Sequence, residues 1–201
     1  MGDRHRPKKG SMGFGPRKRA SRPFGRVKSW PQSDSDEVRL QGFAGWKAGM
    51  THVLMRDLNP TSPSAGAEIR KAVTVVEVPP IRVLAVRGYK MTPYGKQTAG
   101  EVWADAEKLA DVIPNLPRRI PERKEHDADG HLEKLRESNL VDVRLIIATQ
   151  PEKISAVGSK TPEIMEIALT GGEDNAARLE WAAEKLGDEL SIEDVFDSGS
   201  D

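Results

Sequence analysis

The chain has 201 residues, 37 % of them hydrophobic, no cysteine, and 31 Lys or Arg against 31 Asp or Glu. That length suits one domain or two small ones, and the missing cysteine excludes disulfides, thiol chemistry and cysteine-ligated metals. No apolar run approaches the roughly 18 residues of a membrane span, the densest being Leu145 to Ala148, so a soluble intracellular protein is the expectation.

The neutral total hides an uneven distribution. Residues 1–28 hold ten Lys or Arg and one acid, Asp3, leaving 21 basic against 30 acidic residues in the remainder. The cations are Arg4, Arg6, Lys8, Lys9, Arg17, Lys18, Arg19, Arg22, Arg26 and Lys28, interspersed with Gly10, Gly13, Gly15, Pro16, Pro23 and Gly25. Such a segment buries too little apolar surface to fold alone, so a disordered basic arm is predicted. Its expected partner is a polyanion that orders it on binding. Gly13, Gly15 and Pro16 break the amphipathic helix that a transit peptide needs. A localisation signal at Arg17 to Arg19 satisfies the same composition. Phe14, Phe24 and Trp30 favour RNA, because unpaired bases stack on aromatic faces.

A short acidic hinge, Ser33 to Glu37, follows the arm. From Gly42 the pattern turns to β-type runs. Phe43 to Trp46 and Met50 to Arg56 flank Lys47-Ala48-Gly49, which reads as a hairpin turn. Lys47 and His52 beside it are candidate phosphate contacts, extending the basic surface. Asn59 to Gly66 is a Pro/Ser/Gly loop. Ala72 to Val78 and Ile81 to Tyr89 are Val- and Ile-rich, interrupted by Pro79-Pro80. In the second run Val83 and Ala85 alternate with Arg82 and Leu84, giving one largely apolar face. Strands joined by short connections suggest part of a barrel or sandwich.

The second half is α/β in character. A short helix is predicted over Ala104 to Ala110 with Leu109 inward. Pro114, Pro117 and Pro121 mark a linker that carries Arg118 and Arg119. Leu132 and Leu135 place a helix near Ala128 to Ser138. Val141 to Thr149 and Ile164 to Thr170 read as strands, and Gly171-Gly172 as a turn. Ala176, Leu179, Ala183 and Leu186 form a helix stripe that Gly187 ends. Ser191 to Asp194 resembles a capping box. Residues 171–201 hold ten acids and two bases, which reads as a solvated helix face.

No constellation points to catalysis or a cofactor. His126 and His131 are five apart and do not share a helix face as zinc ligands would. Gly13-Phe14-Gly15 lacks the strand and third glycine of a dinucleotide fingerprint. Ser62-Pro63-Ser64-Ala65-Gly66 is no nucleophile elbow. Glu173 and Asp174 would repel a phosphate from the helix after Gly171-Gly172. No catalytic residue, metal, cofactor or small-molecule substrate is therefore expected, and an enzyme is disfavoured.

Several motifs in order carry a resemblance. Arg6-Pro7-Lys8-Lys9-Gly10-Ser11-Met12-Gly13-Phe14-Gly15-Pro16-Arg17-Lys18-Arg19-Ala20 resembles the amino-terminal arm of the third universal ribosomal protein of the large subunit, in its archaeal and eukaryotic form. Gly42 to Val53, the Pro-Pro strands from Val75 to Tyr89, Thr92-Pro93-Tyr94-Gly95 and Glu101-Val102-Trp103 are similar to that family in the same order. From Ala104 the likeness is looser, chiefly Thr161 to Glu166, Gly171-Gly172 and Asp194-Val195-Phe196. The resemblance implies a mixed β and α/β fold: a partial translation-protein-type β-barrel with an α/β insertion. It divides the chain into an arm and hinge over 1–37, first barrel strands over 38–103, and the insertion over 104–201. It implies a structural role in the cytoplasmic ribosome. The chain would bind large-subunit ribosomal RNA near its 3′ end early in assembly, beside neighbouring ribosomal proteins. Arg6, Lys8, Lys9, Arg17, Lys18 and Arg19 match the family's arm position by position, and Ser11 and Phe14 of the same motif join the candidate contacts. Family members continue past Asp194-Val195-Phe196, so closing barrel strands are expected outside these residues. The alternative is an acidic α/β protein-interaction module with a basic localisation tail.

Overall fold

The computed structural model describes residues 15, 18, 20–31, 35–105, 109, 113–121 and 127–199. Residues 1–30 and 31–201 form separate compact units. The described part of the first has no helix or strand; Lys18, Arg22, Arg26 and Lys28 are exposed, and Phe24 and Trp30 are half-buried. Arg4, Arg6, Lys8, Lys9, Ser11, Phe14, Arg17 and Arg19 lie outside the described residues.

The second unit is built on one antiparallel sheet. Its strands are β1 (Arg39–Leu40), β4 (Ile81–Thr92), β5 (Gly95–Trp103), β6 (Asp142–Ala148), β7 (Ile164–Thr170) and β8 (Glu189–Leu190). The order is β1-β7-β6-β4-β5, with β8 pairing the start of β4. Two α-helices of the described residues, α1 (Ala128–Glu137) and α2 (Asn175–Glu184), accompany the sheet. Asp127 caps α1 by accepting from the Gly130 amide at 3.0 Å, which satisfies one of the orphan donors at the helix start.

β4 is the centre of this sheet, and its sequence explains why. Val83, Leu84, Ala85 and Val86 are fully buried in succession, as a strand covered on both faces requires. The single apolar face expected from alternation is thus corrected. β6 beside it buries Val143, Leu145, Ile147 and Ala148. On one face, Gly88 and Gly100 pair across the strands, and a Cβ on Gly88 would come within 2.8 Å of Leu140 and 3.0 Å of Leu135. The two glycines make the slot that Leu135 of α1 fills. Leu179 and Ala182 of α2 are buried as well, and α2 packs on β6 and β4. The opposite face seats Ala85, Trp103 and Ile146 under Leu109, Ile113, Leu116 and Ile120. The proline-rich stretch read as a linker is therefore a lid on the core. Leu109 points inward as expected, and its carbonyl accepts from the Ile113 amide at 2.9 Å.

β2 (Trp46–Arg56) and β3 (Glu68–Glu77) stand apart from that sheet as a two-stranded ribbon. The turn expected at Lys47-Ala48-Gly49 is instead a bulge inside a continuous β2, and Gly49 has no left-handed backbone. The chain reverses over 57–67, where Gly66 takes φ +79. The Ser64 hydroxyl, then that of Ser62 and the Asn59 amide, hold the Asp57 carboxyl below its usual range. No closed barrel forms among the described residues; the architecture is mixed α/β with mostly antiparallel sheets. β4 and β5, expected among first barrel strands, share one sheet with β6 and β7.

A ribbon of two strands is marginal in water without a covered face. Amides of β2 and β3 should therefore exchange with deuterium at least about tenfold faster than those of β4 and β6 at low micromolar concentration. Equal protection would show that something covers the ribbon in solution.

Candidate nucleic-acid interface

The ribbon has two unlike faces. Cross-strand partners share a face, so the register assigns each side chain. Lys47↔Val76, Met50↔Thr74, His52↔Ala72, Leu54↔Arg70 and Arg56↔Glu68 fall on one. Trp46↔Glu77, Gly49↔Val75, Thr51↔Val73, Val53↔Lys71 and Met55↔Ile69 fall on the other. The first face carries four basic side chains, Lys47, His52, Arg56 and Arg70, against one acid, Glu68, together with exposed Met50, Leu54 and Val76. The second is mainly apolar.

The bulge creates this division. Lys47 and His52 are five residues apart, which in a regular strand puts them on opposite faces. The extra residue at Ala48 restores the phase, as bulges re-aim side chains. Lys47 and His52, the two body residues expected to contact phosphate, are thus brought to one face, and both are exposed. Arg70 Nη2 lies 3.0 Å from His52 Nδ1. Arg56 Nε donates to the Gly66 carbonyl at 3.2 Å. Arg56 and Arg70, and Lys71 on the other face, were not among the expected contacts. Starting β3 at Ala72 hid the last two; the alternation Ile69, Lys71, Val73 marks the strand's true beginning.

Three cations of the large sheet are already neutralised. Arg87 Nη2 meets Glu101 at 2.6 Å and its Nη1 meets Glu166 at 2.9 Å. Arg144 bridges Asp142 at 2.9 Å and Glu166 at 3.3 Å, and Lys96 also reaches Asp142 at 2.9 Å. The Tyr89 hydroxyl donates to Glu166, and the Arg144 guanidinium lies 4.8 Å from the Tyr89 ring centroid. Burial, then the hydrogen bond to Glu166, raises the Tyr89 phenol above its ordinary value. Three cations and three carboxylates close on one another across β4, β5, β6 and β7. The cluster fixes strand register rather than attracting an anion.

The segment that follows the arm is held down. The Gly172 amide donates to the Ser35 carbonyl at 2.9 Å and the Gln41 amide to Ala168 at 3.0 Å. Arg39 pairs with Glu37 at 2.8 Å and with Asp197 at 3.1 Å. Gly171 and Gly172 have φ +76 and +72, which only glycine adopts readily. The acidic stretch beyond them includes Glu180, which takes a two-point contact from Arg136 at 2.9 and 3.0 Å. No described helix is long and apolar enough to cross a membrane. No group of three potential metal ligands occurs among the described residues.

Comparison with known proteins bears on this geometry. Residues 1–200 match the sequence model of the family described as Ribosomal protein L3. A large ribosomal subunit protein uL3 from Archaeoglobus fulgidus is 44 % identical over 200 residues, covering 98 % of this chain and 56 % of the relative. Those from Methanopyrus kandleri, 44 % identical, and Halobacterium salinarum, 46 % identical, cover 96 % and 97 % of this chain. The matched region is 52 % and 57 % of those relatives, so the chain spans little more than half their length.

Proposed function

Since the chain belongs to the ribosomal protein L3 family, we propose that it is a structural, non-enzymatic constituent of the large ribosomal subunit in the cytoplasm. It binds large-subunit ribosomal RNA near the 3′ end during early assembly, beside neighbouring ribosomal proteins. The observation that carries this reading is the charge distribution: ten cations in residues 1–28 on an otherwise acidic chain. The basic face of the ribbon, with Lys47, His52 and Arg70, supports it. Arg4, Arg6, Lys8, Lys9, Ser11, Phe14, Arg17, Lys18, Arg19, Arg22, Arg26 and Lys28 are the arm's contacts, within the arm and hinge over residues 1–37.

The ribbon's other face has a separate role. Val53, Met55 and Val75 are more than a third exposed, an apolar strip suited to packing against a further element. We assign it to a wall of a translation-protein-type barrel.

The test is competition at fixed salt. The chain should bind a fragment from the 3′ region of large-subunit RNA at least about tenfold more tightly than a small-subunit fragment of equal length. Equal affinities would reduce the arm to a localisation tail and favour the protein-interaction alternative.

A further inference from the structure

The β4–β5 hairpin runs past the sheet that holds it. β6 leaves β4 at the Tyr89↔Asp142 pair, so Lys90↔Gln97, Met91↔Lys96 and Thr92↔Gly95 pair only with each other. At the tip, Pro93 supplies the fixed φ of the first turn position. Gly95 takes φ +104, and the Thr92 hydroxyl donates to the Gly95 carbonyl at 2.7 Å. The turn is thus stiffened at both ends. It presents Tyr94 at 93 % exposure, with Met91 at 61 %. Residues 90–98 contain two lysines and no acid, unlike the acidic body around them. Lys90 is exposed, and Lys96 is held by Asp142 at 2.9 Å.

We propose that Tyr94 is a stacking platform for an unpaired base of large-subunit ribosomal RNA, with Lys90 taking an adjoining phosphate. The inference rests on the RNA-binding reading above and adds a contact remote in sequence from the arm. Three observations converge on it. The ring has both faces in water, which suits a π-stack and wastes a hydrophobic surface otherwise. The turn restrains the backbone that carries the ring, so the freedom lost on stacking is mainly that of the side chain. Lys96 is spent on Asp142, but exposed Lys90 complements a phosphate backbone; an apolar protein pocket would have to desolvate Lys90 beside the ring.

The experiment measures affinity of the full 201-residue chain for single-stranded fragments of large-subunit RNA. Tyr94→Ala should weaken binding about 5- to 150-fold, the range for one stacked base. Tyr94→Phe, which keeps the ring, should stay within about twofold of the parent, and Lys90→Gln should weaken binding less than Tyr94→Ala. Ultraviolet crosslinking should place RNA on the peptide containing Tyr94. Parental affinity in Tyr94→Ala, while the Arg17→Gln, Lys18→Gln, Arg19→Gln variant loses binding, overturns the hairpin contact alone. Parental RNA affinity combined with poor incorporation of Tyr94→Ala into subunits assigns the ring to a protein pocket and overturns it too. A parent chain that fails to prefer large-subunit RNA overturns both readings.

Discussion

Removal of residues 1–28 is expected to abolish most of the salt dependence of RNA binding. If about six of the ten cations meet phosphates, log affinity falls against log salt with a slope near −4 to −5, at roughly 0.7 to 0.9 per phosphate. Between about 50 and 200 mM salt the intact chain would then lose roughly a thousandfold in affinity. The shortened chain retains the ribbon's Lys47, His52 and Arg70 and should keep only a shallow slope. Titration of both forms with large-subunit RNA across that range decides it. Identical slopes would mean that the arm does not touch RNA and that the ribbon or another surface carries the charge.

The second large effect concerns Gly171. A Cβ there would collide with the Glu37 carbonyl and sit 2.6 Å from Ser35 Oγ, at φ +76. Gly66 has nearly the same backbone, φ +79, with nothing within 4 Å of its Cβ position. Gly66→Ala therefore isolates the left-handed backbone penalty, about 1–2 kcal/mol. Gly171→Ala adds overpacking, roughly 1–3 kcal/mol more, and should unseat residues 35–41 and β1. Urea unfolding should rank Gly171→Ala well below Gly66→Ala, with amides near Leu40 deprotected in the former alone. Equal stability of the two variants would refute the tight seating of residues 35–41.

The expectations from sequence succeed where periodicity is strong and local. β6 and β7 were legible because their apolar residues are contiguous or alternating, and α1 because Leu132 and Leu135 have helical spacing. β1 and β8 were not legible. Each has two residues, and their partners, Thr170 and Ile81, are far along the chain. Gly49 misled because glycine in a β context suggests a turn, whereas the ribbon absorbs the irregularity at Ala48 as a bulge. The proline stretch misled because proline signals interruption and says nothing of Leu116 and Ile120, which pack between the prolines.

The interface was half legible. Charge composition alone selected the arm, and Lys47 and His52 were singled out from their neighbourhood. That they share a face with Arg70 was hidden, because face depends on the register and the bulge shifts it.

The pairing of β1 with β7 also sets a clock on biosynthesis. Leu40 finds its partner in Leu169, a residue made long after the arm has left the exit tunnel. At about 5–20 residues per second, the arm trails untethered for roughly 6–26 s before its root can lock. A nascent cation-rich tail with no docked base is open to any nearby polyanion during that interval.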